Sequence, residues 1–253
     1  SNRARGWRAT ENSAGSLDIA DNYPLSTIRL TRASSRRYTG AMSESRAWTL
    51  GEEVAHSVTH GIGLLAAVAG LVVLVILAAA TRDPWRITSC AIYASTLVLL
   101  YAASTLYHAL SATRARDVFR VLDHSAIFLL IAGTYTPFAL VSLRGPWGWT
   151  LLGIVWSLAA AGVAAKAVFG TRWPVISTVL YLAMGWTVVI ALKPLLAHVP
   201  PGGIAWLVAG GLAYTTGVVF YAWTRLRYSH AVWHVFVLAG SVCHYIAVVL
   251  YVV

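Results

Sequence analysis

Between residue 50 and the C-terminus, one stretch of about 20 residues after another is apolar and almost free of charge. A run of that length is what an α-helix needs to cross a hydrocarbon layer about 30 Å thick. A chain built from such runs has to fold as an all-α membrane bundle. Seven transmembrane helices are predicted, over residues 54–80, 87–110, 122–143, 146–166, 174–193, 203–223 and 229–252. The breaks between them fall at Asp83-Pro84, Gly145-Pro146, Trp173-Pro174 and Pro200-Pro201-Gly202-Gly203, sequences that stop or start helices. With 58% hydrophobic and 11% charged residues, the chain does not read as a soluble domain. Its 11 Trp and 12 Tyr suit interfacial belts, where a ring with a polar tip sits at headgroup level.

Residues 1–47 have a different composition, rich in Ser, Arg and Asn without a sustained apolar period, and read as a disordered basic cytoplasmic tail ahead of a membrane domain over 48–253. The early arginines are not followed by the apolar core of a secretory signal. A net charge of +10 at first suggests nucleic acid, yet the arginines lie in the tail and in short loops, where topology explains them. With the N-terminus cytoplasmic, 15 basic residues fall on the inner side and 4 on the outer, which predicts a cytoplasmic N-terminus and an extracytoplasmic C-terminus. Cys90 and Cys243 both sit inside apolar runs, in no metal-ligand spacing.

Given this topology, four polar residues from separate helices fall at one depth. His108 lies near the inner end of the second helix, Asp123 near the inner start of the third, and His230 and His234 at the start of the seventh. Each is within about 11 Å, along its own helix, of an inner-boundary arginine. His230 and His234 are four apart, so both imidazoles share a helix face at about 6 Å, close enough for one ion. His108 would supply a third nitrogen. Three histidines with an open position make a catalytic zinc arrangement, in which water bound at that position has a pKa of about 7. Asp123 would accept the water's proton, and Ser104, one turn before His108, would give outer support. A lone histidine in a membrane helix is explained by a bond to a backbone carbonyl. Four polar groups converging at one depth point to function.

A rival pair exists. His56 and His60 are also four apart at the start of the first helix and follow Glu52 and Glu53. Its plainer explanation is that the two glutamates favour the positive end of the helix dipole while the histidines face a polar interior, with supporting roles at most. His244, about 15 Å beyond His234, is too deep to share its ion and is a further supporting candidate. His124 points about 100° away from Asp123, which favours packing. His198 reads as a solvated loop residue and Lys193 as one that snorkels to the outer headgroups. No serine-nucleophile elbow, phosphate loop or dinucleotide fingerprint occurs.

At these residues the chain resembles the hemolysin III branch of the progestin and adipoQ receptor family, which includes adiponectin receptors and is distantly linked to alkaline ceramidases. The matching stretches run from Glu52 to Gly63, from Ser104 to His108, from Leu122 to Ile127 and on to Pro137, and from His230 through His234 to His244, within residues 50–253. The resemblance implies a seven-helix bundle with a cytoplasmic N-terminus and one buried zinc near the inner leaflet. It maps the zinc histidines onto His108, His230 and His234, and the water-holding aspartate onto Asp123. The first motif departs from the family pattern, which has Asn where this chain has His56.

The expectation is a zinc-dependent hydrolase of the bacterial inner membrane, acting on a lipid amide or ester, with membrane lipids as substrate or ligand and no nucleic-acid partner. Ceramide-like amides follow only from the resemblance. One alternative is a receptor-like or regulatory protein in which zinc is structural. Another is a hemolysin III-type cytolysin, suggested by the family's name alone, since no charged ring suited to lining a channel is present.

Overall fold

The computed structural model describes residues 48–253, and the basic segment over 1–47 lies outside the described residues. The described chain is all-helical: α1 (Leu50–Ala80), α2 (Pro84–Ala109), α3 (Arg116–Pro137), α4 (Pro146–Phe169), α5 (Pro174–Gly185), α6 (Leu192–His198), α7 (Pro201–Ala222) and α8 (Ser229–Tyr251). A π-turn over Phe138–Ser142 extends α3, and a 3₁₀ segment over Trp186–Ala191 joins α5 to α6, so the elements amount to seven spans. α1 packs on α2, α2 on α3, α3 on α4 and α7 on α8, and α1 closes onto α8. The core therefore lies along α1, α2 and α8, around Leu74, Tyr93, Leu97 and Val248.

The spans agree with the predicted ones, but their ends differ for local reasons. α1 starts four residues early because Thr49 and Glu52 form a capping box: the Glu52 N–H donates to Thr49 Oγ1 at 3.3 Å and the Thr49 N–H to Glu52 Oε2 at 2.9 Å. α3 starts at Arg116 rather than 122, since its first turns are charged and satisfied in place by an Arg120–Asp117 ion pair at 3.3 Å and an Arg116–Glu53 pair at 2.9 Å. Asp123 is thus two turns inside α3. α2, α4, α5 and α7 each begin with proline, which is preset for a first helical turn and has no N–H to leave unpaired.

The fifth span was expected to be one helix and is instead broken after Gly185. Tyr135 of α3 accounts for the break. Its hydroxyl donates to the Gly185 carbonyl at 2.7 Å and accepts from the Val188 N–H at 2.9 Å, satisfying backbone groups that leave the helical ladder. Tyr135→Phe is expected to strand both groups and lower stability by about 1–3 kcal/mol, measured by denaturant unfolding in detergent micelles.

Close helix approach is set at a few glycines. A side chain at Gly63 would meet Leu238 and Tyr101 at 2.7 Å, so α1, α2 and α8 draw together where the first-helix histidines are carried. α8 opens at Tyr228, in the left-handed region at φ 57°, and its N–H donates to Glu52 Oε1 at 3.2 Å. The starts of α1 and α8 are thereby tied together.

Candidate metal centre

His108 occupies the last turn of α2, while His230 and His234 occupy the first two turns of α8. One donor atom from each lies within 4.8 Å of the other two, so the triad read from depth and spacing does converge in space. The hydrogen bonds fix which nitrogens are free. His234 Nδ1 donates to the His56 carbonyl at 3.2 Å, leaving Nε2 with its lone pair. His108 Nδ1 pairs with Glu53 Oε2 at 2.8 Å, and the other oxygen of Glu53 accepts from Arg116 at 2.9 Å. Nε2 of His108 and of His230 is buried and has no hydrogen-bond partner.

These residues fit a metal ion. Around zinc, with bonds of about 2.0–2.1 Å, neighbouring ligand nitrogens stand roughly 3.4 Å apart, which small side-chain turns reach from the present spacing. Buried, unpartnered imidazole nitrogens otherwise cost about 1–3 kcal/mol each. The donor set is rich in nitrogen and oriented from behind by a carboxylate, as metal-ligating histidines commonly are. Glu53→Gln is expected to weaken zinc binding by about 10- to 100-fold, checked by competition with a chelating dye.

The first-helix residues belong to the same cluster. Glu53, His56 and His108 form a second donor group of the same tightness. Glu53 does not simply face the helix dipole, since it reaches inward to His108; Glu52 closes the cap of α1. His60 stacks on His234 at 3.5 Å between ring centroids, and its Nδ1 is 2.7 Å from Ser104 Oγ. Ser104, expected to give outer support to the triad, contacts His60, whose ring stacks on His234. Trp48, which the sequence reading passed over, covers the cluster from the N-terminal end of α1: its ring centroid is 4.7 Å from that of His230, 4.9 Å from His56 and 5.3 Å from His108.

On the other side, Asp123, Ser104, His60, His230 and His234 form the polar end of a cavity of about 270 Å³. Its remaining walls are largely apolar and come mainly from α3, α5, α7, α8 and the 3₁₀ segment. His244 lies toward its far end, with Nδ1 bonded to the Gly240 carbonyl at 2.8 Å and the ring stacked on Tyr214, so it is not part of the donor cluster. His124 bonds the Arg120 carbonyl at 2.8 Å, with Nδ1 3.8 Å from Asp123. His198 bonds the Pro194 carbonyl at the end of α6.

Comparison with known proteins gives the family of the chain. A family model described as Haemolysin-III related matches residues 48–245. The chain is 45% identical over 206 residues to the Hemolysin-3 homolog of Bacillus subtilis (strain 168), covering 81% of this chain and 97% of that protein. It is 43% identical over 201 residues to Hemolysin-3 of Bacillus cereus, covering 79% and 92%. A more distant similarity, 27% identity over 203 residues covering 78% and 83%, links it to the human Monocyte to macrophage differentiation factor.

Proposed function

The chain belongs to the Haemolysin-III related family and is an integral, multi-pass protein of the bacterial plasma membrane, and on that premise we propose a metal-dependent hydrolase that cleaves a lipid amide or ester within the bilayer. The observation that carries this reading is the convergence of donor atoms from His108, His230 and His234, of which His230 and His234 also line a largely apolar cavity.

His108, His230 and His234 would hold the ion, zinc being suited to nitrogen donors. When bound, such an ion supplies Lewis acidity toward a carbonyl and lowers the pKa of water. The protein's own groups do the rest. Glu53, braced by Arg116, holds the His108 ring in one tautomer. His60, held by Ser104, supports the His234 ring from its face. Asp123 takes the proton of the attacking water and passes it to the leaving nitrogen or oxygen. The cavity walls receive the hydrocarbon part of the substrate and keep bulk water away. The side of the bundle bearing Arg114, Arg116, Arg120, Arg225 and Arg227 faces the cytoplasm in this reading, which sets the chemistry in the inner leaflet.

The test is a panel of lipid amides and esters offered to purified protein in nanodiscs, before and after chelation and after zinc is restored. Product that falls on chelation and returns with zinc is expected. Equal product in all three samples overturns the proposal. A second reading, a receptor-like or regulatory protein with structural zinc, is favoured by the position of His56 and His108 beneath Trp48, on the side away from the cavity. It predicts that chelation lowers the melting temperature and changes no turnover.

A further inference from the structure

His56 completes a four-sided arrangement of imidazoles. Its ring centroid lies 4.7 Å from His108, 4.8 Å from His230 and 5.5 Å from His234. The triad's own separations are 5.2 Å for His108 to His230, 5.1 Å for His108 to His234 and 4.6 Å for His230 to His234. For four imidazoles bound tetrahedrally with Zn–N bonds of about 2.0–2.1 Å, each ring centre lies about 3.2 Å from the ion, and any two ring centres are about 5.2 Å apart. All six observed separations cluster about that value. By ring separation His56 matches the triad, and its donor atom groups with those of Glu53 and of His108, the ring shared with the triad.

The state of the ring points the same way. The side chain of His56 is fully buried, and neither ring nitrogen has a hydrogen-bond partner. Nδ1 faces Glu53 Oε2 at 3.8 Å, longer than a hydrogen bond, so this carboxylate, already shared by His108 and Arg116, does not satisfy it. The backbone carbonyl of the same residue fixes the tautomer of His234. Side chain and main chain of His56 thus converge on the same centre.

We propose that His56 is a fourth nitrogen ligand at the His108, His230 and His234 centre, so that a bound ion has its tetrahedral positions filled by protein at rest. The proposal rests on the metal reading of the preceding subsection and adds to it. A saturated shell makes His56 the group that an incoming ligand from the cavity has to displace, and the strength of its hold sets how open the centre is.

X-ray absorption on the purified, zinc-loaded full chain counts imidazoles from their outer-shell scattering, and cobalt(II)-substituted protein titrated with azide reports an open position. Four imidazoles, and a cobalt spectrum that millimolar azide does not move, are expected of the wild-type protein. His56→Gln is expected to show three imidazoles, an azide-sensitive spectrum and zinc affinity lower by about 10²- to 10³-fold. Three imidazoles with an azide-sensitive spectrum in the wild type overturn the role of His56 and leave the triad standing. Failure of the wild type to retain metal, or an imidazole count that His234→Ala leaves unchanged, overturns the underlying metal reading as well. The wild-type measurements decide the question even where His56→Gln does not fold.

Discussion

His234→Ala is expected to empty the centre and abolish turnover. Structural zinc sites hold their ion with about 10–16 kcal/mol at neutral pH. Taking one donor from three or four is then expected to cost about 3–4 kcal/mol, roughly 10²- to 10³-fold in affinity. The loss is compounded at this position. The His234 ring is the platform on which His60 stacks at 3.5 Å, and its Nδ1 bond to the His56 carbonyl joins α8 to α1. Metal content per chain, measured by elemental analysis after gel filtration, is expected to fall to background, and product to fall to the level of chelated wild type. His244→Ala provides the contrast. That ring bonds its own helix at Gly240 and lies about 15 Å deeper along α8. Metal content is expected to be unchanged there, and loss of metal in His244→Ala would contradict the site as assigned.

The seven spans and the triad were legible because each depends on a short-range regularity. Apolar run length marks the spans, and an i,i+4 pair on α8 together with a common depth marks the histidines. What was not legible depends on partners far away in the chain. The break after Gly185 is stabilised by Tyr135, fifty residues earlier. Glu53 read as a helix-dipole residue because its neighbours suit a first turn, while its real partner is His108, 55 positions on. Charge at the start of α3 hid two turns of helix that ion pairs make comfortable outside the apolar run. The standing of His56 turned on how far α1 leans into α2 and α8. That approach is set at Gly63, whose missing side chain leaves room for Leu238 and Tyr101. Trp48 lies ahead of the apolar run, so hydropathy gave no reason to look there.

Asp123→Asn is expected to separate chemistry from metal binding. Asp123 is 9% exposed and lines the same cavity as His230 and His234 without belonging to either donor group. The amide is nearly isosteric with the carboxylate, so cavity shape and metal content are expected to persist. What disappears is a group able to accept a proton, and general acid–base steps of this kind typically contribute about 10²- to 10⁴-fold. Initial rates on the best lipid of the panel, with metal content measured on the same sample, are expected to show that loss at full metal occupancy. Loss of metal together with rate would make Asp123 a ligand. Unchanged rate at full occupancy would remove it from the reaction and leave the attacking water without a protein base. The carboxylate in the donor groups, Glu53, is already engaged by His108 and Arg116, so the base role rests on Asp123.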